Sequence, residues 1–156
     1  MPRLHLFTSG DAVGPIVAEA LSQTLGLNID VTEVEWSDFS AGLGKGSYPM
    51  FLASANAQYP DPEATLDALF RSTSPGNYSA YRSEDLDSAL AAAATEADNG
   101  KRLAAYADIE RNALDAFVVV PLYRDVGYTL VRPRVKGVTL TPLGLLSLRG
   151  LQATEP

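Results

Sequence analysis

The chain contains no cysteine and one histidine, His5. The first absence excludes disulfides, zinc-thiolate sites and thiol nucleophiles. A single histidine excludes a multi-histidine metal site built from this chain, and His5, next to apolar residues with no visible partner, offers no histidine-based catalytic triad. His5 sits among apolar residues of a predicted strand and reads as structural. No run approaches the roughly 18 apolar residues that cross a bilayer, and the apolar sequence after Met1-Pro2-Arg3 is too short for a secretory signal. The glycine-rich dinucleotide, P-loop and nucleophile-elbow patterns are also missing, so no cofactor is expected. Positive charge is scarce as well. Twelve Lys and Arg against nineteen Asp and Glu leave a net charge of -7, the wrong sign for general nucleic-acid binding.

What remains is an ordinary acidic globular composition in 156 residues, a length that suits one domain with its own core. Residues 4–8 read as a strand. Gly10, Asp11 and Gly14-Pro15 then punctuate the chain before a helix whose apolar face is predicted to carry Ile16, Val17, Ala20, Leu21, Thr24 and Leu25, ended by Gly26. Residues 29–36 form a β-rich stretch, and Ser37-Asp38 are placed to cap a short helix through Leu43. Trp36 is expected in the core. After the glycines at 42, 44 and 46, a strand leads from Tyr48 into the most informative stretch, residues 46–70.

There an apolar strand, Met50 to Ala53, runs into a polar patch, Ser54, Asn56 and Gln58, and then into the rigid turn Tyr59-Pro60-Asp61-Pro62. Open α/β sheets hold ligands at the carboxyl ends of their strands, so this arrangement suggests a binding surface more than a reaction centre. Pro62 suits the first position of a helix carrying Ala64, Leu66, Leu69 and Phe70, with Glu63 near its positive end. Ser83 caps an alanine-rich helix that breaks at Asp98-Asn99-Gly100. A further helix from Lys101 carries the stripe Tyr106, Ile109, Ala113 and Phe117, predicted to face the sheet. Val118 to Leu122 is a buried-strand candidate and Tyr128 to Val131 another. Beyond them Pro133, Gly137, Pro142 and Gly144 divide the tail into short pieces.

Taken together, VEWSDF, the glycine-rich link with its Tyr-led strand, YPDP, LDALF, the Asn77-Tyr78 loop, SEDLDSAL, KRLAAYADIERNALDAFVVVPLY and RPRVKGV resemble one family in order and spacing. They are similar to the C-terminal lobe of the peptide/nickel-type (family 5) solute-binding proteins of ABC transporters. That resemblance implies an α/β fold, a periplasmic-binding-protein-like lobe with a mixed sheet flanked by helices. It makes residues 1–156 a single lobe, a fragment of a larger two-lobe parent that is exported to the periplasm or the cell surface. The implied partners are a peptide or other small polar solute, the missing second lobe and an ABC permease, and an isolated lobe with uncovered apolar surface is open to self-association.

Two departures from the family pattern bear on the ligand. Ala55 stands where peptide binders typically carry Trp, and Gln58 where they carry an acid that pairs with the ligand's amino terminus. A neutral amide supplies no opposing charge, so a bond of about 1.5–3 kcal/mol drops towards about 1 kcal/mol. Pro49 replaces an Asp and suits a strand start rather than a central ladder position.

The candidate ligand-binding residues are Ser54, Asn56, Gln58, Tyr59, Asp61, Tyr78, Tyr123 and Arg124. Each has a plainer reading. Asp61, between two prolines, also serves as a turn organiser; Asn56 and Gln58 emerge on one face, which is the cleft or the solvated side. Tyr59 packs or forms a platform. Tyr78, beside a capping Asn77, lines the cleft or only its loop. Tyr123 and Arg124 follow the apolar strand into a region that approaches the solute in the family, and Arg124 pairs with a ligand carboxylate or with a surface acid. The carboxylate pairs Asp85/Asp87 and Asp61/Glu63 show no metal-loop pattern, and no metal site is expected. The leading reading is therefore a non-enzymatic solute-binding lobe that works by hinge closure. The alternatives are the ligand-sensing module of a transcriptional regulator with the same fold and a carboxylate-based, metal-assisted hydrolase.

Overall fold

A computed structural model of the chain describes residues 3–153. Its sheet is parallel and has β1 (Arg3–Thr8) at the centre. β1 pairs with β2 (Asn28–Glu33) in the register Leu6↔Val31. Along its other edge runs the segment around Phe51, where the Phe7 N–H donates to the Met50 carbonyl at 3.0 Å and the Leu52 N–H to the Phe7 carbonyl at 2.9 Å.

The crossover from β1 to β2 is α1 (Val13–Leu25), and Gly26 ends it with φ 66°, a left-handed conformation that glycine adopts without steric cost. Its buried line is Gly14 and Ala18, flanked by half-buried Val17 and Leu21, a stripe at i, i+3, i+4 and i+7. The predicted face was rotated from this one. Ile16, Ala20, Thr24 and Leu25 point outward, because the missing side chain of Gly14 and the methyl of Ala18 let the helix approach the sheet closely. α2 (Trp36–Gly44) begins at Trp36, capped by the Glu35 carboxylate, which accepts the Ser37 N–H at 2.7 Å. Trp36 is 65% exposed; the buried residues of α2 are Phe39, Gly42 and Leu43.

Three helices form the second half of the core. α3 (Pro62–Phe70) is capped by Asp61. α4 (Glu84–Thr95) is capped by Ser83, whose hydroxyl accepts the Leu86 N–H, and α5 (Asn99–Asp115) by Asp98. Leu66, Phe70, Leu86, Leu90, Ala93, Tyr106, Ile109 and Ala113 interlock as one apolar cluster. The alanines of α4 allow close packing on α5. The stripe on α5 thus faces α3 and α4, not the sheet, and it stops at Ala113. Phe117 lies beyond the helix end at φ 54° and is 85% exposed.

Two predicted strands do not form. Val118 and Val119 lean on the helical cluster, but from Val120 to Arg134 the chain runs over the surface without strand pairing. A β-rich composition forms strands only where a partner backbone is present to complete the ladder, and among the described residues none lies alongside. The tail then folds on itself as two nested antiparallel ladders. β3 (Val135–Lys136) pairs with β6 (Gln152–Ala153), enclosing β4 (Thr139–Leu140) with β5 (Leu146–Ser147). No described helix is long and apolar enough to cross a membrane.

Candidate binding site

The topology singles out one place. The chain leaves β1 towards β2 on one edge and returns through the Phe51 segment on the other, so the carboxyl ends of β1 and of that segment flank the point where strand order reverses. In open parallel sheets this is the position of the ligand crevice. The residues emerging there are Thr8 and Ser9 from β1 and Ala53 to Gln58 from the returning segment.

An aromatic stack fixes the entry to that segment. The Tyr48 ring stacks on Phe7 at 4.5 Å and on Phe39 at 5.4 Å, and its hydroxyl donates to the Asp38 carbonyl at 3.2 Å. Gly42 makes room for it: a Cβ there would stand 2.4 Å from the Tyr48 ring. Gly42, inside α2, is therefore a packing requirement.

Past Leu52 the segment leaves the ladder. Ser54, Asn56 and Gln58 are exposed while Ala57 between the last two is half-buried, so both amides emerge on the solvent side of an extended span. Tyr59 is 45% exposed; partial burial first, then the nearby Glu63 and Asp61 charges, raise its phenol. Tyr78 sits edge-on to Phe51, with ring centres 6.5 Å apart, which brings the loop tyrosine to the strand's flank. Its neighbour Asn77 is an organiser of that loop, donating to the carbonyls of Arg71 and Tyr81.

Asp61 has its carboxylate turned inward. Oδ1 accepts the Glu63 N–H at 3.0 Å, capping α3, and also Arg102 Nη1 at 2.9 Å, while Oδ2 accepts Arg102 Nη2 at 2.6 Å. The hydrogen bonds from Arg102 hold this carboxyl below the usual aspartate range. Arg102 in turn lies over the Tyr106 ring at 5.7 Å and reaches Asn99 Oδ1 at 3.2 Å. Arg102 was legible only as a position of family resemblance; no local signal links residues 41 apart.

Tyr123 and Arg124 lie on the exposed segment after α5, and Arg124 forms no ion pair among the described residues. His5 is exposed, its Nδ1 3.5 Å from the Thr32 hydroxyl. No cluster of three or more potential metal ligands occurs among the described residues.

Comparison with known proteins gives this geometry a context. No family model matches the chain. The periplasmic oligopeptide-binding protein OppA of Salmonella typhimurium is 30% identical over 123 residues, 79% of this chain and 22% of its own length. The periplasmic murein peptide-binding protein MppA of Escherichia coli is 28% identical over 121 residues, 78% of this chain and 22% of its own. The solved structure of the Escherichia coli murein tripeptide-binding protein superposes with a TM-score of 0.82 over 99% of this chain and 31% of that one, at 24% identity.

The chain is related to the peptide-type solute-binding proteins of ABC transporters. It spans about a fifth of the length of these curated relatives. Its mixed α/β architecture is that of periplasmic binding proteins, as its motif order implied. The relatives are named as binding proteins rather than enzymes. Ala55 and Gln58 fall within the exposed span between the Phe51 bridge and the Asp61 cap.

Proposed function

We propose that the chain is the C-terminal lobe of a two-lobe extracytoplasmic receptor that captures a small polar solute or a peptide and delivers it to an ABC permease. The observation that carries this reading is the polar span Ser54–Gln58 at the reversal of strand order, in a chain whose relatives are peptide-binding proteins. Its role is binding without turnover. The parent works in the periplasm or at the cell surface, and closure of two lobes about a hinge holds the solute.

The run of exposed apolar residues after α5 supports a missing lobe. Val120, Leu122, Tyr123, Val126, Tyr128, Leu130 and Val131 all stand in solvent, an arrangement that a lone domain covers through its own parent or through a second copy. On this reading Tyr123 and Arg124, on the exposed segment after α5, approach the solute. Asn56 and Gln58 offer neutral hydrogen bonds to the peptide backbone, and Tyr59 and Tyr78 flank them.

Because Gln58 carries no charge, a free ligand amine is not the anchor of recognition. The test is calorimetric titration of the two-lobe parent with trialanine and with N-acetyl-trialanine. We expect both to bind, with affinities within about tenfold, or about 1.4 kcal/mol, of one another. A parent that binds neither peptide, and from which native mass spectrometry recovers no other small polar solute, would overturn the receptor reading. Loss of binding on acetylation alone would overturn the role given to Gln58.

A further inference from the structure

We propose that Arg102 is a positioning residue for the polar span, acting through Asp61. The proposal rests on the solute-binding reading of that span and adds a residue that touches no solute. The span from Ala53 to Gln58 is held at its two ends. Upstream, the Leu52 N–H is bonded to the Phe7 carbonyl at 2.9 Å, the last rung of the ladder. Downstream the first fixed point is Asp61, whose two carboxylate oxygens take both terminal nitrogens of Arg102.

Three features make that second anchor stiff. The pair is bidentate, a geometry that defines orientation as well as distance. Its side chains are only 20% and 23% exposed, so water competes weakly for the same donors. Arg102 is itself fixed, by Asn99 Oδ1 on one side and the Tyr106 ring on the other, and Tyr106 lies 1% exposed in the helical cluster. A chain of contacts therefore runs from the α3–α5 core through Arg102 and Asp61 to the turn that closes the span. Without it the turn keeps its α3 cap but loses its tie to α5, and the downstream end of the span that presents Asn56 and Gln58 is held by α3 alone.

The test uses 15N relaxation of the whole chain and titration of the two-lobe parent with trialanine. In wild type the order parameters of residues 54–59 are expected near the rigid-backbone value of about 0.85, falling below about 0.6 in Arg102→Ala and recovering partway in Arg102→Lys, which restores charge but not the fork. Those of α4 should not change. In the parent, Arg102→Ala is expected to weaken trialanine binding about tenfold. Asp61→Asn, which keeps an oxygen for the Glu63 N–H, should do the same, and the double variant should lose no more than either alone. Asp61→Asn also serves where Arg102→Ala fails to fold. Unchanged order parameters over the span, or an equal drop throughout α3 to α5, would overturn the positioning role. If the span loosens locally while the wild-type parent binds no trialanine and no other solute, positioning stands and the receptor reading falls.

Discussion

Replacing Gly42 with alanine tests how the returning segment is seated. A glycine inside a helix normally costs about 0.8–1 kcal/mol relative to alanine, so propensity alone makes the substitution stabilising. The structure opposes this, because the added Cβ would stand 2.4 Å from Cε2, Cζ and the hydroxyl oxygen of Tyr48. That ring has nowhere easy to go, stacked as it is on Phe7 and Phe39. Overpacking costs about 1–3 kcal/mol, and disturbing an aromatic stack adds about 0.5–1.5 kcal/mol. The packing terms exceed the propensity gain, and the net destabilisation is about 0.5–3.5 kcal/mol. Gly44, at the end of the same helix, is exposed and has nothing within 4 Å of the position its Cβ would take. Gly44→Ala should therefore stabilise, by up to about 0.5–1 kcal/mol. Urea unfolding of the two variants, followed by circular dichroism, should move the midpoints in opposite directions. If Gly42→Ala matches or exceeds wild type, the close fit of Tyr48 against α2 is not what seats the segment.

Further outcomes follow from the same structure. Phe117 closes α5 in a left-handed conformation while its ring is 85% exposed, so Phe117→Gly should relieve strain and raise stability by about 0.5–1 kcal/mol, whereas Phe117→Ala should not; thermal melts of the two separate backbone strain from lost ring contacts. Leu90, 1% exposed where α4 meets α5, should cost about 2–5 kcal/mol when cut to alanine, read from the urea midpoint. Asp61 is held below the ordinary aspartate range chiefly by Arg102, and Asp87 by hydrogen bonds from Ser72. Folded values below unfolded ones mean that both contributions are complete above the unfolded value, about pH 4, and are lost as pH falls through the folded values. Stability should hold from neutrality to about pH 5 and decline below about pH 4, with a shallower acid limb in Asp61→Asn; a decline beginning above pH 6 would contradict this assignment.

Local signals carried the helices and the first two strands, β1 and β2, and failed on two later stretches of strand composition. Gly26, Asp61, Ser83 and Asp98 mark helix ends through hydrogen bonds or dihedral angles that involve only neighbouring residues, so their positions were readable within a residue or two. Val118 to Leu122 and Tyr128 to Val131 have strand composition, yet strand formation needs a second backbone, and composition does not say whether one is present. Trp36 was assigned to the core from the family resemblance and Phe117 from its spacing, but both stand at helix ends, where the apolar face has already turned away from the packing surface.

The same division holds for the candidate site. The polar span, the turn that Asp61 organises and the residues Ala55 and Gln58 within the span were readable from the sequence alone, because each is a property of contiguous residues. The folded arrangement of distant segments makes β1 central, which puts the span at the reversal of strand order. It also decided that Tyr78 flanks Phe51 and that both oxygens of Asp61 are taken by Arg102, 41 residues away. These are contacts between segments distant along the chain. Helix caps record the conformation of their neighbours, whereas a pairing across the fold exists only once the sheet and the three-helix core have set where each segment ends.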